Sequence, residues 1–391
     1  MIYDNIKRNK NNILDIKNKV LVSYVNGPKV EILGSYESTY RIEFIDKKTN
    51  IIHFESELKT NHWAKANIQY FIDWRIRVWE GDSLIHEEDY NANSKRVYIA
   101  LDSKALGDTL AWIPYIEEFG KKHNSEMIVS TFHNHMFEKQ YTDIEFVKPG
   151  STVNNLYAMY EIGWHYNEDN TINYEANPSD FRKYSLQECS ADVLGVDYNE
   201  LKPKLTFKNT GSAIEEKYVI IAPHGSAHAK YWNYPGGWQV IIDYLNNEGY
   251  KVVMITKEPL GDEWHDSKLG GTLTGVIDKT GDYSLAERAN DMMNAEFFIG
   301  IGSGLSWLNW ALNKKTILIS GFSAPFSEFE DCERIFTPDL NICNSCYNKE
   351  KLDPSDWEWC PKNKNTDKQF ECTKTITPEL IIKSIERIKL S

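Results

Sequence analysis

Two stretches of this 391-residue chain each run an apolar strand through a small-residue turn into a helix, and that order leaves few folds open. The first begins with Arg96-Val-Tyr-Ile-Ala-Leu101, a strand of the buried type. It continues through the turn Asp102-Ser-Lys-Ala-Leu-Gly107-Asp108 into the helical pattern Thr109–Phe119, and strand Met127–Thr131 follows. The second opens at Tyr218–Ala222. Helix Gly237–Asn247, strand Lys251–Ile255, helix Leu285–Asn294, strand Phe297–Gly300, helix Ser306–Leu312 and strand Thr316–Ser320 come next. Strands alternating with helices in this way build parallel sheets covered on both faces. The expected fold class is α/β, two Rossmann-like halves facing a cleft.

Residues 1–95 have a different texture. Val20–Val25, Tyr40–Ile45, Ile51–Phe54 and Ile68–Val78 alternate apolar and polar residues with the period of a strand, and turn signals fall at Asn26-Gly27-Pro28 and Glu80-Gly81-Asp82. In the last run Tyr70, Ile72, Trp74, Ile76 and Val78 share one face. A small antiparallel sheet or barrel is expected there, with docking or oligomerisation as its role. The expected divisions are 1–95 for this β domain, 96–210 and 211–335 for the two halves, 336–376 for a cysteine-bearing segment, and 377–391 for a last helix with Thr377 as N-cap and Pro378 in its first turn.

Composition narrows the function. A net charge of −13 argues against nonspecific nucleic-acid binding but permits a local basic pocket for a phosphate. No apolar run approaches the roughly 20 residues of a membrane helix, and Met1–Asn5 has no apolar core of a secretory signal. A soluble cytoplasmic protein is expected. The 12 Trp and 22 Tyr suit flat-surface or sugar contacts, and ordinary core packing accounts for them equally well.

Three turns carry candidate chemistry. Asp108 closes the first strand-to-helix turn, where the carboxyl ends of parallel strands line a ligand crevice. An ionised carboxylate there can take a proton from an attacking hydroxyl, or it can simply cap the helix beginning at Thr109. Pro223-His-Gly-Ser-Ala-His-Ala-Lys230-Tyr-Trp232 follows the second opening strand, and its small residues let amides approach an anion while Lys230 adds a point charge. His224 and His228 stand four apart, without the carboxylate of an H-E-x-x-H zinc motif. Finally, Gly300-Ile-Gly302-Ser303-Gly304-Leu305 is a glycine-rich strand-to-helix turn whose unpaired amides suit a pyrophosphate. Its spacing matches neither the dinucleotide fingerprint nor a P-loop.

Cys343, Cys346, Cys360 and Cys372 read C-x2-C-x13-C-x11-C. A C-x-x-C turn presents two thiolates to one tetrahedral ion and a later pair completes the shell. All-sulfur coordination selects zinc or iron, and a closed shell leaves no position for catalysis. Two disulfides or free buried thiols are the alternatives. The surrounding Asp353-Pro354, Pro361 and Lys362–Lys368 are too polar to bury a core of their own.

The three turns, in this order on two Rossmann-like halves, resemble the heptosyltransferase superfamily of glycosyltransferases with the GT-B fold. The resemblance implies that Asp108, on the first or acceptor half, is the catalytic base. It implies that Lys230 and Trp232, from a K-x-W segment, meet the donor's phosphates, and that Ser303, Gly304 and Leu305 hold its diphosphate. Where the family's D-[ST]-G-L-x-H-L turn has Asp and His, this chain has Gly302 and Trp307. Leu101–Tyr115, the N-terminal β region and the four cysteines together are similar to one branch, the bacterial autotransporter heptosyltransferases. That branch implies ADP-heptose as donor, serines of an autotransporter adhesin passenger domain as acceptor, iron rather than zinc in the cysteine finger, and a large ring-like homo-oligomer. The mechanism implied is an inverting single displacement without a catalytic metal, in which Asp102 orients the loop or contacts the acceptor. A transferase acting on a glycan and a non-catalytic nucleotide-sugar-binding scaffold are the rival readings.

Overall fold

A computed structural model describes residues 18–390. The first 17 residues of the expected N-terminal β domain, and Ser391, lie outside it. The described residues open with β1 (Lys19–Val25) and β2 (Lys29–Leu33), an antiparallel pair joined through Asn26 and Gly27. Both turn residues have positive φ, 57° and 95°, and a Cβ on Gly27 would stand 2.7 Å from the carbonyl of Ile68, so glycine is required there. Next come β3 (Thr39–Asp46), β4 (Ile51–Lys59), β5 (Trp63–Lys65), β6 (Trp74–Glu80) and β7 (Ser83–Asp89). An antiparallel sheet of order β4-β3-β6-β7 forms, as the alternation predicts. Tyr40, Ile42, Phe44, Trp74, Ile76 and Val78 pack its buried face.

Two features depart from the sequence reading. The run Ile68–Val78 enters the sheet only at Trp74. Before that, Phe71 docks on the first α/β half: its amide donates to Val193 O at 2.8 Å and its ring meets those of Phe119 and His123. Tertiary packing there outweighs strand propensity. In addition, β1, β2 and β5 do not join β3, β4, β6 and β7. They extend the sheet of the following half, where β1 runs parallel to β11 (Ala158–Gly163).

That half contains β8 (Arg96–Asp102), α1 (Leu106–His123), β9 (Glu126–Ser130), β10 (Ile144–Val147), β11 and α2 (Leu186–Leu194), in sheet order β10-β9-β8-β11-β1-β2-β5. The second half has β12 (Tyr218–Ala222), α3 (Gly237–Asn247), β13 (Lys251–Met254), α4 (Glu263–Leu269), β14 (Val276–Asp278), α5 (Leu285–Asn294), β15 (Phe298–Ile301), α6 (Gly304–Ala311), β16 (Thr316–Ile319) and β17 (Glu333–Ile335). Its sheet, β14-β13-β12-β15-β16-β17, is parallel throughout. The single-turn helices α7 (Cys346–Lys349) and α8 (Glu371–Lys374) carry Cys346 and Cys372, two of the four finger cysteines, and α9 (Pro378–Leu390) follows.

In both halves the winding reverses beside the first strand, between β8 and β11 and between β12 and β15. Such reversals open a crevice beyond the carboxyl ends of the strands. The two crevices face each other because the N-termini of α1 and α6 touch. A Cβ on Gly304 would stand 2.9 Å from Leu106 Cβ, and one on Gly107 would stand 3.0 Å from Trp307 Cδ1. The two glycines are what let the helices meet so closely.

Candidate active site

A cavity of about 1230 Å³ lies between the halves, lined from the first by Leu106–Asp108 and Trp164 and from the second by His224–Ala227, Lys230 and Gly302–Leu305. Asp108 is the third residue of α1, and the residue before the helix is Ala105, so Asp108 is not its cap. The carboxylate is 9% exposed. Its Oδ2 accepts from Ser103 Oγ at 2.6 Å and from Trp164 Nε1 at 2.7 Å. Burial raises its pKa above the usual aspartate range, and the two hydrogen bonds and the Lys230 charge offset part of that rise. Neither donor engages Oδ1. A carboxylate so held is more basic than a solvated one and is suited to accept a proton.

Lys230 ends the helical turn His228–Lys230. Its ammonium donates to Ser226 Oγ at 3.1 Å and lies 5.9 Å from the centre of the Phe322 ring. Burial lowers its pKa, while Asp108 and Glu328 counteract the shift. A cation from one half and a carboxylate from the other therefore share one field.

Ser303 precedes α6 in extended conformation, and its side chain makes no capping bond. Its Oγ is buried without a partner among the described residues. The first amides of α6 are free of helical partners and lie at the positive end of the helix dipole. A hydroxyl and amides in this arrangement suit a diphosphate. Gly304 and Leu305 line the same wall.

Two predicted residues stand elsewhere. Trp232 is in the core of the second half, 1% exposed; its Nε1 donates to Ile376 O at 2.8 Å and its ring packs on Trp238. It does not line the cavity. Asp102 ends β8 with an exposed side chain, also off the cavity wall. His224 and His228 do not form a metal pair. The His224 ring bonds Thr256 Oγ1 at 3.2 Å, whereas His228 stacks on Trp357 and faces Glu358. Burial pushes both down to about 4, so both are neutral near pH 7.

Several wall residues belong to no motif. Trp164 is one, brought in from the end of β11. Arg288, 5% exposed, donates to the carbonyls of Thr256 and Gly281 at 2.7 and 2.6 Å and ties together the loops after β13 and β14. Leu352–Trp357 and Trp359, from the cysteine segment, form another wall. Hydrogen bonds fasten that segment to the first half: Asn348 Nδ2 donates to Arg182 O at 2.7 Å and the Leu352 amide donates to Tyr174 Oη at 2.9 Å. A lone Trp or Arg in a loop or helix gives no signal in a single sequence.

All six cysteines are unpaired. Cys343 Sγ and Cys346 Sγ stand 3.8 Å apart, about the spacing of two thiolates on a tetrahedral ion with ~2.3 Å metal–sulfur bonds. Burial first, and then the neighbouring thiols, pushes Cys346 and Cys372 above the usual thiol range; Cys343 and Cys360 act on both. A cation would relieve that repulsion, so the donor set fits a thiophilic metal. Among the described residues no group of three or more His, Cys, Asp or Glu side chains stands in metal-holding geometry. The C-x-x-C pair is at metal-binding spacing, and Cys360 and Cys372 lie close enough to act on it electrostatically.

The sequence profile of glycosyltransferase family 9 (heptosyltransferase) matches residues 175–327. The autotransporter heptosyltransferase BAHTCr of Citrobacter rodentium is 34% identical over 365 residues, 91% of this chain and 86% of that protein. TibC of Escherichia coli is 35% identical over 351 residues, 87% of this chain and 83% of TibC. The crystal structure of TibC, an iron-containing dodecameric glycosyltransferase, superposes with a TM-score of 0.84, covering 95% of this chain and 96% of that one. A second TibC structure, in complex with ADP-D-β-D-heptose, superposes equally well. An inactive autotransporter heptosyltransferase, BimC of Burkholderia thailandensis, is 30% identical over 331 residues, 82% of this chain and 75% of that protein. No helix among the described residues is long and apolar enough to cross a membrane.

Proposed function

This chain belongs to the autotransporter heptosyltransferases, and from that premise we propose that it moves heptose from ADP-heptose to serine hydroxyls of an autotransporter adhesin passenger domain. The observation that carries the reading is the meeting of Asp108 from one half with Lys230 and the α6 N-terminus from the other, in one cavity. Donor binding alone needs only the second half. A buried carboxylate aimed across from it is what transfer requires.

The step is an inverting single displacement. The serine oxygen forms a bond to the anomeric carbon as the bond from that carbon to the β-phosphate oxygen breaks. The serine proton passes to Asp108, and the electron pair leaves on ADP. Lys230, the Ser303 hydroxyl and the first amides of α6 stabilise the charge gathering on the departing diphosphate. Burial that raises the basicity of Asp108 favours the proton transfer. No metal is needed at the reacting atoms.

Cys343, Cys346, Cys360 and Cys372 would hold iron as a structural ion, with zinc as the alternative, and the 3.8 Å thiol pair and the iron-containing TibC support this. Cys343→Ser should then lower metal content and thermal stability together; an unchanged metal stoichiometry would remove the finger from the account. A homo-oligomer accords with the dodecameric TibC and with the exposed Ile51, Ile52 and Phe54 on the edge strand β4. A cytoplasmic location accords with the six unpaired thiols.

The test is the intact mass of a passenger fragment after incubation with this protein and ADP-heptose, beside Asp108→Asn. Heptose-sized increments present with the wild type and absent with the variant would support donor, acceptor and base together. The inactive relative makes a non-catalytic binder the second reading. Under it, ADP-heptose would bind and no increment would appear on a passenger or on a glycan.

A further inference from the structure

Building on the ADP-heptose reading, we propose that Glu328 recognises the transferred sugar, its Oε1 accepting a hydrogen bond from a hydroxyl of the heptosyl group above Gly302. Glu328 follows the helical turn Pro325–Ser327 after β16 and reaches back across the end of β15 into the cavity wall. A side chain on residue 302 would collide with Glu328 Oε1. Glycine there is therefore what gives the carboxylate its place beside the α6 N-terminus.

Its two oxygens are used differently. Arg334 Nη1 donates to Oε2 at 3.0 Å, and Arg334 Nη2 donates to Phe329 O at 2.6 Å. The acid and the guanidinium are 11% and 13% exposed, so the pair is held rigidly and its charge is balanced locally. Local balance is what allows a carboxylate to sit close to a diphosphate site. Oε1 takes, among the described residues, only a 3.4 Å hydrogen bond from Ser323 Oγ. An ionised carboxylate only accepts, so its ligand partner must be a donor. Diphosphate oxygens are acceptors and do not qualify; hydroxyls do.

Position in the sheet separates the sugar's hydroxyls from those of the ribose. With the diphosphate at the β12–β15 reversal, the loops after β13 and β14 lie to one side and Glu328, between β16 and β17, lies to the other. Glu328 shares its surroundings with Asp108: both act electrostatically on Lys230 and on Tyr347. The bond to be broken must lie within reach of Asp108, so the sugar belongs on this side and the nucleoside on the other.

Calorimetric titration of wild type, Glu328→Gln and Glu328→Asp with ADP and with ADP-heptose tests this. Glu328→Gln should bind ADP within about twofold of wild type and ADP-heptose roughly tenfold or more weakly, the loss expected for a hydrogen bond to a charged acceptor. Glu328→Asp keeps the charge but withdraws the oxygen by one methylene, and should show the same split; it answers the question if the glutamine variant fails to fold. Equal weakening of both ligands would mean that Glu328 works through Lys230, and unchanged binding would mean that it touches no ligand; either overturns the proposal. ADP-heptose binding no tighter than ADP to the wild type would instead fault the donor reading, before Glu328 is in question.

Discussion

The two halves bring opposite kinds of chemistry to the same cavity. The turn after β8 contributes a side chain, Asp108, whose position depends on further side chains, Ser103 and Trp164. The turn after β15 contributes backbone: the first amides of α6, with Ser303 Oγ beside them, glycine at 302 giving room to Glu328 and glycine at 304 giving room to Leu106. A diphosphate is recognised by many weak, fixed dipoles, and a proton by one group of tuned basicity. Substitutions should therefore act sharply on the first half and diffusely on the second.

The largest expected effect is that of Asp108→Asn. Transfer should fall by roughly 10²–10⁴, as for loss of a general base, with ADP-heptose binding retained. The same variant should unfold at a higher temperature near neutral pH. Burial raises the carboxyl's folded-state pKa above its unfolded value, so ionised Asp108 destabilises the native state above that window, and the cost disappears as pH falls and the group is protonated. An amide keeps an oxygen for Ser103 and Trp164 without the buried charge. A variant that is inactive but less stable would contradict this balance. Next in size, Lys230→Ala should weaken ADP binding by roughly tenfold to a hundredfold in titrations, the value of a charge-assisted contact. Affinity equal to wild type would move the diphosphate away from Lys230.

The same contrast explains what could be read from the sequence. The strand–turn–helix order predicts the parallel strands at the centre of both sheets, and Asp108, Lys230 and Ser303–Leu305 do converge, because turns at the carboxyl ends of such strands share one crevice. Trp232 fails the same rule although it lies two residues from Lys230. Beyond the helical turn His228–Lys230 the chain dives inward, and the indole is used to anchor Ile376 at the start of the last helix. Partners that meet only through tertiary packing left no trace in spacing: Trp164 reaches Asp108 over 56 residues, and Phe71 leaves its strand to pack on α1. The union of β1 with β11 is illegible for the same reason, since a parallel pairing across more than a hundred residues has no local signature.

Trp164→Phe sharpens the comparison by keeping the ring and removing the N–H. That hydrogen bond favours ionised Asp108, so its loss should raise the carboxyl's pKa further. The proposed step needs the ionised form, so the acid limb of the pH–rate profile should move to higher pH, with little change in ADP affinity. An unmoved acid limb would mean that Trp164 only packs against Phe181 and Trp112, its ring neighbours.

The smallest effect belongs to Asp102→Asn. Asp102 sits six residues before Asp108 on the same strand-to-helix passage, yet it is exposed and off the cavity wall. If burial and convergent donors make a carboxylate a base, this one should not be able to stand in, and kcat and KM should stay within about twofold of wild type. A loss comparable to that of Asp108→Asn would instead put the acceptor on the outer side of β8. The proton path would then leave the cavity, and the contrast between a buried side-chain turn and a backbone turn would no longer describe how the two halves divide the reaction.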